Sequence, residues 1–307
     1  MNEHTLVMTG GTSGLGRAAA AELLRRDPTM HLVLLARGTA LTNNRGTALT
    51  KDRVTVIKAD LASLGSVREA SRDIGRRLAS GELPPLSGLA GNAGVSLADA
   101  LHTTADGYES TFAVNVIANH LLISELAPLL RAPARIVVTV SDSHFGDFRH
   151  TLGALPGPRW ADPAVLARPG AFPRPETPVA GRTAYTTSKL AAIHLVHEWA
   201  RRLPAGIDIV AYNPGVVPGT GLAREAGPFA RALMGVLSRP LLLTPLADSV
   251  AAAGRKLADA IDGSTAASSG DYVDRTRAAR SSAESYERNR EHALWTFLDG
   301  VAARVGR

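Results

Sequence analysis

The fold is decided by Thr5-Leu6-Val7-Met8-Thr9-Gly10-Gly11-Thr12-Ser13-Gly14-Leu15-Gly16, in which a short apolar run leads into a glycine-rich turn. Residues 17–24 are rich in alanine and leucine and favour a helix. A strand, a glycine turn and a helix in this order begin a dinucleotide-binding α/β unit. Glycines let the backbone approach a diphosphate, whose charge then lies at the amino end of the helix. A flexible glycine loop is the alternative, and the flanking pattern favours the nucleotide.

A second motif lies in Ala184-Tyr185-Thr186-Thr187-Ser188-Lys189-Leu190, where a tyrosine precedes a lysine by four residues. On a helix this spacing places the phenol and the ammonium group on one face. A cation held there lowers the pKa of the phenol, which makes the tyrosine a better acid toward an alcohol or carbonyl oxygen. The pair alone occurs by chance in many helices, so its meaning depends on the glycine turn.

Taken together, the spacing of Gly10, Gly14 and Gly16 and the pair Tyr185 and Lys189 resemble the short-chain dehydrogenase/reductase family. Within this family, the sequence motifs most resemble those of the branch that holds protochlorophyllide reductases, retinol dehydrogenases and actinobacterial reductases. The resemblance implies an α/β single-domain Rossmann fold, with a doubly wound parallel sheet of about seven strands flanked by helices. It also implies that the first turn binds a dinucleotide through Gly10, Thr12, Ser13, Gly14, Leu15 and Gly16.

Arg37 bears on which dinucleotide is bound. It follows the apolar run 31–36, where an NAD-preferring relative is expected to carry an acidic residue that holds the ribose hydroxyls. A cation there suits a 2′-phosphate, so NADP(H) is the expected cofactor, with Ser13 or Arg17 as helpers. An exposed arginine at a strand end is the alternative.

Further cofactor contacts are implied by the resemblance at two more strand ends. Asp60 and Leu61 follow the strand-like run 54–58, and relatives place such an aspartate beside the adenine. Asp60 could equally cap the helix that begins near Ser63. The family's NAG motif stands at the end of the next run, as Asn92, Ala93 and Gly94.

The remaining catalytic candidates are also implied by the family pattern. Asn115 lies in a helical pattern over about residues 107–130 and matches the asparagine that relatives use to anchor a relay water. Ser141 follows the apolar run 135–140 and matches the catalytic serine, with Ser143 as a rival because the chain departs from the usual motif here. His144 is assigned to substrate contacts or local structure.

The last cofactor contacts are expected after the run 208–212. In relatives, a proline-glycine turn and a following threonine bind the nicotinamide carboxamide. The matching residues here are Pro214, Gly215, Val217 and Thr220, and one residue more than in relatives separates Gly215 from Thr220. Residues 216–245 are expected to cover the substrate, with a helix and loop over 222–243.

These residues and the family resemblance predict an NADP(H)-dependent oxidoreductase that interconverts a carbonyl and an alcohol, with a hydrophobic or secondary-metabolite substrate. Tyr185 would be the acid, Ser141 would position the substrate oxygen, Lys189 would hold the nicotinamide ribose, and Asn115 would order a water. A non-catalytic NADP(H)-sensing regulator is an alternative, although such proteins tend to lose the tyrosine or lysine. A sugar-nucleotide epimerase or dehydratase is another, although those usually begin with TGxxGxxG.

Composition agrees with one cytoplasmic enzyme acting on a small molecule. The 307 residues contain no cysteine, and the nine histidines show no metal-ligand spacing, so no metal is implied. The net charge of +6 comes from scattered arginines, which does not favour nucleic acid as a partner. No apolar run approaches the length of a membrane span, and no linker divides residues 1–307 into two domains.

One stretch, residues 145–182, departs from the family pattern. Forty-three residues separate Ser141 from Tyr185, and seven of them are prolines, which forbid long helices and central strands. We predict an irregular insertion with one short helix near residues 162–167. It would form a wall of the substrate pocket or be an exposed segment without a function. Because it lies just before the helix that many relatives use to form oligomers, the expected oligomeric state is either a monomer or a homodimer.

Overall fold

The computed structural model describes residues 3–38, 51–151, 153–218 and 247–305. Its centre is one eight-stranded sheet with the order β3-β2-β1-β4-β5-β6-β7-β8. The strands β1 to β7 are parallel, and the short β8 pairs antiparallel to β7 at the edge. This confirms the predicted fold and adds one edge strand. The bounds are β1 His4–Thr9, β2 Met30–Ala36, β3 Val54–Lys58, β4 Leu86–Gly91, β5 Leu130–Thr139, β6 Ile207–Asn213, β7 Tyr272–Asp274 and β8 Arg277–Ala279.

Helices cover both faces of the sheet, because alternate strand residues point to opposite sides. In β1, Val7 lies in the core shared with α2, α3, α6 and α8, whereas Leu6 and Met8 lie in the core shared with α1 and α7. Burial on both faces explains why the strands are continuous apolar runs. The helices are α1 Gly14–Arg26, α2 Leu64–Ala79, α3 Ser110–Leu129, α4 Phe148–Thr151, α5 Pro163–Leu166, α6 Pro178–Ala200, α7 Val250–Ile261 and α8 Arg288–Val305.

Side-chain caps fix where two of the functional helices begin. Thr177 accepts a hydrogen bond from the Ala180 amide, and Pro178 occupies the first turn of α6. Ser63 accepts from the Ser66 amide and caps α2. The suggestion that Asp60 caps this helix is therefore wrong, because its carboxylate accepts from the Ala62 amide in the preceding turn.

The strand order places the first glycine turn at the topological switch point of the sheet. β1 lies between β2 and β4. The chain places β2 and β3 on one side of β1 and then crosses over to place β4 on the other side. In open α/β sheets ligands bind in the crevice at the carboxyl ends of such strands. The turns after β1 and β4 meet there.

Helix α3 is long and apolar enough to cross a membrane by length and composition, with a mean hydropathy of 1.4. Sequence inspection did not anticipate this. In the structure, 72% of the apolar stretch of α3 is buried inside the protein, against the sheet and α2. That is the position of a core helix. Its second turn, Ala113–Ile117, is a π turn, a local widening that is frequent at functional sites.

The proline-rich insertion leaves the carboxyl end of β5 and runs outward over α6. A Cβ on Gly146 would lie 2.7 Å from Gly157, so the insertion crosses itself closely where it leaves the sheet. Beyond this crossing the Arg159 amide donates to the Thr187 hydroxyl at 2.9 Å, and the ring of Trp160 packs edge-on against His194. The predicted short helix is α5, capped by Asp162.

Candidate active site

The first glycine turn has the backbone shape that its sequence predicts. Gly10 and Gly14 have φ of +68° and +52°, a left-handed conformation that other residues rarely adopt. A Cβ on Gly16 would lie 2.2 Å from the Gly10 carbonyl oxygen, so a side chain there would force α1 away from β1. A Cβ on Gly14 would meet no atom of the described residues within 4 Å, so none of them blocks that side of the turn.

The amino end of α1 suits an anion. Ser13 precedes the helix but its side chain does not cap it, and the first turn contains no acidic residue. The free amide groups of the first helical turn therefore point toward the crevice together with the positive end of the helix dipole. The neighbouring Thr12 is partly buried and Leu15 packs against the core, so this turn fits a diphosphate.

Asn92 and Ala93 join the turn after β4 to the turn after β1. The Asn92 side-chain amide donates to the carbonyls of Thr9 and Gly10 at 3.4 Å, and the Ala93 amide donates to the Thr9 hydroxyl at 3.0 Å. Thr139 donates to the Asn92 side-chain oxygen at 3.4 Å, which extends the link to β5. The NAG motif thus holds three strand ends together.

The candidates for the adenosine end follow β2 and β3. Arg37 is exposed directly after β2, and Asp60 and Leu61 follow β3 on the same edge of the sheet as the first turn. Arg37 is therefore free to reach a group bound against Ser13 and α1. No acidic residue takes its position.

The hydroxyl of Ser141 lies beside the phenol of Tyr185 and acts to lower the pKa of that phenol. Ser141 stands just after β5, and Tyr185 lies in the third turn of α6, where it is 7% exposed. The structure thus brings together a hydroxyl and a phenol that the sequence separates widely. Both are positioned on rigid elements, so the pair is preorganised to bind one oxygen atom.

Lys189 lies below the same pair. Its ammonium group donates to the Thr139 carbonyl at 2.9 Å and lies 5.6 Å from the centre of the Tyr185 ring. Burial lowers the pKa of Lys189 to about 8. A Cβ on Gly94 would lie 3.3 Å from this ammonium group, so only glycine leaves that side of the lysine open toward the crevice.

The expected lowering of the Tyr185 pKa is not found in this structure. Burial raises the pKa of the phenol, and the hydrogen bond from Ser141 offsets part of that effect. Lys189 points to Thr139, and its charge contributes less than burial does. Tyr185 is therefore a protonated donor at physiological pH.

Asn115 occupies the π turn of α3 and is held from several directions. Its side chain accepts from the Val95 amide at 2.9 Å and donates to the Ser188 hydroxyl at 2.9 Å, one residue before Lys189. Its main-chain carbonyl accepts from the Asn119 side chain at 2.9 Å and has a second lone pair. A Cβ on Gly94 would lie 3.2 Å from the Asn115 side-chain oxygen, so Asn115 and Lys189 border the same space.

The geometry favours Ser141 over its rival. The Ser143 hydroxyl is buried and has no hydrogen-bond partner within the described part of the chain, whereas Ser141 contacts Tyr185. His144 serves local structure: its Nδ1 bonds the Ser141 carbonyl at 2.6 Å, and its Nε2 accepts from the Ser282 amide. Burial lowers the pKa of His144 to about 4, so it is neutral.

The turn after β6 lies beside the same edge of the sheet. Gly215 has a φ of +70°, and Pro214 and Val217 flank it on the way out of the strand. Thr220 and the expected helix and loop over 222–243 lie outside the described residues. The described part of this segment ends at residue 218.

Sequence reasoning missed a carboxylate next to Ser141. Asp142 accepts hydrogen bonds from the Asn213 side chain and the Tyr272 hydroxyl, both at 2.6 Å. The sequence did contain a signal for this carboxylate. Asp142 stands where the chain departs from the usual family motif after Ser141, and Asn213 directly precedes the proline-glycine turn. The contact between them depends on β5, β6 and β7 being neighbours, which no local pattern shows.

Similarity to known proteins identifies the family. A family model described as short chain dehydrogenase matches residues 4–151. Retinol dehydrogenase 14 of Mus musculus is 30% identical over 265 residues, which cover 80% of this chain and 71% of that protein. This chain belongs to the short-chain dehydrogenase/reductase family. The predicted membership, in a branch that includes retinol dehydrogenases, is confirmed, and the chain is an oxidoreductase of the class that uses a nicotinamide cofactor.

Two further likenesses are consistent with this membership. A Streptomyces sp. (strain C5) protein assigned as a daunorubicin C-13 ketoreductase is 34% identical over 217 residues, which cover 70% of this chain and 66% of that protein. The crystal structure of an NADPH-bound carbonyl reductase from chicken fatty liver has a TM-score of 0.59 and 17% identity. It covers 91% of this chain and 99% of that one, and it shows the common fold.

Proposed function

We propose that this protein is an NADP(H)-dependent oxidoreductase that interconverts a carbonyl and an alcohol by tyrosine-assisted hydride transfer. The observation that carries the proposal is the convergence of Tyr185, Ser141 and Lys189 at one strand end beside the glycine turn. A phenol, a hydroxyl and an ammonium group around one space can donate to a developing oxyanion from two sides. The curated relatives named above include a ketoreductase and a retinol dehydrogenase.

The residues present fit the dinucleotide. The first turn and the open amino end of α1 would hold the diphosphate, and Arg37 would pair with a 2′-phosphate. Asp60 and Leu61 would border the adenine, and the NAG motif would border its ribose. Lys189 would bind the nicotinamide ribose. The carboxamide would lie against Pro214, Gly215, Val217 and Thr220.

The chain's own residues supply geometry and a proton. Tyr185 is protonated and donates to the substrate oxygen during reduction, while Ser141 donates a second hydrogen bond to it. When bound, the reduced cofactor supplies the hydride. Lys189 lies between Tyr185 and the Asn115 helix, so a water on the Asn115 carbonyl would return a proton toward the tyrosine.

We propose that residues 1–307 form one domain and that its substrate is hydrophobic. Large apolar side chains are exposed on both segments that leave the site: Phe148 is 73% exposed at the start of the insertion, and Val216 is 45% exposed after β6. Arg159 and Trp160 of the insertion contact α6, and its later residues 167–175 share backbone hydrogen bonds with Ala100 and Glu109 of the segment after β4. The start of the insertion, residues 145–158, is thus the part that would border the pocket.

A panel of ketones and aldehydes incubated with NADPH or NADH tests the proposal. NADPH absorbance should fall with at least one bulky apolar carbonyl, and more slowly with NADH. Binding of NADPH without turnover of any carbonyl or alcohol would favour the non-catalytic regulator. Isomerisation of a sugar nucleotide without net NADPH consumption would favour the epimerase.

A further inference from the structure

Asp142 connects three strand ends at the candidate site. Its carboxylate Oδ1 accepts from the Asn213 side-chain amide and from the Tyr272 hydroxyl, both at 2.6 Å. Asn213 is 1% exposed and Tyr272 is 2% exposed, so both donors are buried at the ends of β6 and β7. Two short bonds from buried donors thus converge on one carboxylate oxygen, in a setting of low polarity that strengthens hydrogen bonds.

The link is reciprocal between Asp142 and Asn213. The Asp142 amide donates to the Asn213 side-chain oxygen at 3.2 Å, and the Gly215 amide donates to the same oxygen at 3.1 Å. One asparagine side chain thus holds the residue after Ser141 and the glycine of the proline-glycine turn. The Asn213 side-chain amide also donates to the Asp274 carboxylate at 3.1 Å, so two carboxylates, of Asp142 and Asp274, hold this side chain between the two segments.

Burial keeps the Tyr272 phenol protonated. It raises the pKa of that phenol, and the neighbouring Asp142 carboxylate raises the pKa further. Tyr272 is therefore a hydroxyl donor at physiological pH. The Tyr272 ring also packs edge-on against His144, whose Nδ1 bonds the Ser141 carbonyl.

We propose that Asp142 is a positioning residue for the reaction: it holds the Ser141 hydroxyl in register with the Pro214-Gly215 turn. The inference rests on the proposed function, because Ser141 and that turn are assigned there to the substrate oxygen and the nicotinamide. Asp142 acts through Ser141 and Asn213. Loss of its carboxylate would misplace the two segments that must converge on one carbonyl group, without removing a proton donor.

The kinetic test compares Asp142→Ala with Asp142→Asn. The alanine variant should lose roughly 10- to 100-fold in kcat, since small misplacements of reacting groups cost that much. The asparagine variant should recover much of it, because its amide oxygen can still accept from both donors. Asp271→Ala is the matched control, since its carboxylate accepts only from the Ser268 amide among the hydrogen bonds that the described residues show.

A second kinetic comparison separates positioning from instability. In a Ser141→Ala background, Asp142→Ala should lower kcat by a smaller factor than in the wild type, because the part of its effect that acts through Ser141 is already lost. The isotope effect on kcat with C4-deuterated NADPH should rise in Asp142→Ala alone. An equal loss with and without Ser141, or a loss that Asp142→Asn does not recover, would overturn the proposal.

Hydrogen exchange tests the same idea without turnover. The amides of Asp142 and Gly215 should exchange faster in Asp142→Ala than in wild type or Asp271→Ala, with the rest of the sheet unchanged. If neither amide responds, Asp142 does not couple the two segments, whatever the wild-type activity is. If both respond but the wild type reduces no carbonyl, the proposed function fails and the structural coupling stands.

Discussion

Ser141 and Tyr185 lie side by side although 43 residues separate them in the chain. They meet because Ser141 follows β5 while Tyr185 lies on α6, the helix that returns over the sheet toward β6. The insertion joins them without passing between them. After Gly157 it contacts α6 through Arg159 and Trp160 and then the segment after β4 through backbone hydrogen bonds to Ala100 and Glu109.

Gly16→Ala should damage the dinucleotide site. The new Cβ would lie 2.2 Å from the Gly10 carbonyl oxygen, a contact that real structures essentially never show, so the turn must shift. We expect NADPH affinity to fall at least about tenfold, with a loss of stability of ~1–3 kcal/mol from the strain. Titration of NADPH fluorescence and thermal unfolding measure both effects.

Gly300→Ala is the matched control for that variant. A Cβ at Gly300 on α8 meets no atom within 4 Å among the residues that the structure describes, so the substitution should stabilise the protein by ~0.5–1 kcal/mol through helix propensity. Equal NADPH affinity in Gly16→Ala and Gly300→Ala would mean that the first turn does not bind the cofactor.

Arg37→Asp should reverse the cofactor preference. The charge-assisted bonds of a guanidinium to a 2′-phosphate contribute about 1.5–3 kcal/mol, so the affinity for NADPH should fall roughly 10- to 100-fold. NADH affinity should hold or rise, because a carboxylate there can accept from the ribose hydroxyls. Arg72→Asp makes the same charge change on the exposed side of α2 and should leave the ratio of the two Kd values unchanged.

Lys189 should titrate near its lowered pKa. Burial brings the pKa of its ammonium group to about 8 from an ordinary 10.5, so the cation is lost as pH rises through that value. The chain contains four lysines, which makes an NMR titration of carbon-labelled lysine side chains readable, with Lys189→Met as the assignment variant. NADPH binding should weaken above pH 8 if the cation holds the ribose. A Lys189 signal that titrates at the ordinary value would contradict this description of the site.

His120 should make the fold acid-sensitive. It lies between Trp199 and Trp295, both ring nitrogens lack a partner in the described part of the chain, and burial lowers its pKa to about 4. Between pH 4 and 6.5, His120 binds fewer protons in the folded state than in the unfolded state. The stability that depends on a neutral His120 is therefore fully present above pH 6.5 and decreases as the pH falls below that value. At pH 5 the loss is about 2 kcal/mol.

His120→Phe tests that linkage. A phenyl ring keeps the aromatic contacts and cannot titrate, so the variant should lose less stability than wild type between pH 7 and pH 5. His292→Phe changes an exposed histidine and should follow the wild-type pH dependence. Chemical unfolding at both pH values measures the difference, and parallel curves for His120→Phe and wild type would rule the effect out.

The sheet and most of the candidate site were readable in the sequence because their signals are local. An apolar run followed by Gly10-Gly11-Thr12 specifies a strand and a turn over a few residues, and the spacing of Tyr185 and Lys189 fixes one helical face. The density of prolines likewise predicted an irregular insertion with a short helix. Each of these inferences depends on neighbours within about one or two helical turns.

The parts that could not be predicted depend on contacts between distant residues. Asp142 and Tyr272 meet across 130 residues because β5, β6 and β7 are adjacent, and sequence spacing carries no such information. The Tyr185 pKa was expected to fall because Lys189 was counted as a free charge, whereas burial dominates for both groups. Burial of this kind is a property of the assembled core.

Tyr185→Phe tests the central claim most directly, with Tyr212→Phe as its matched control. Tyr212 is fully buried and its hydroxyl lacks a partner in the described part of the chain, so loss of that hydroxyl should leave turnover intact. With the best carbonyl of the panel and saturating NADPH, we predict that Tyr185→Phe lowers kcat by roughly 10²- to 10⁴-fold while the NADPH Kd stays close to wild type. A Tyr185→Phe enzyme that reduces the carbonyl as fast as Tyr212→Phe would contradict the assignment of the proton donor.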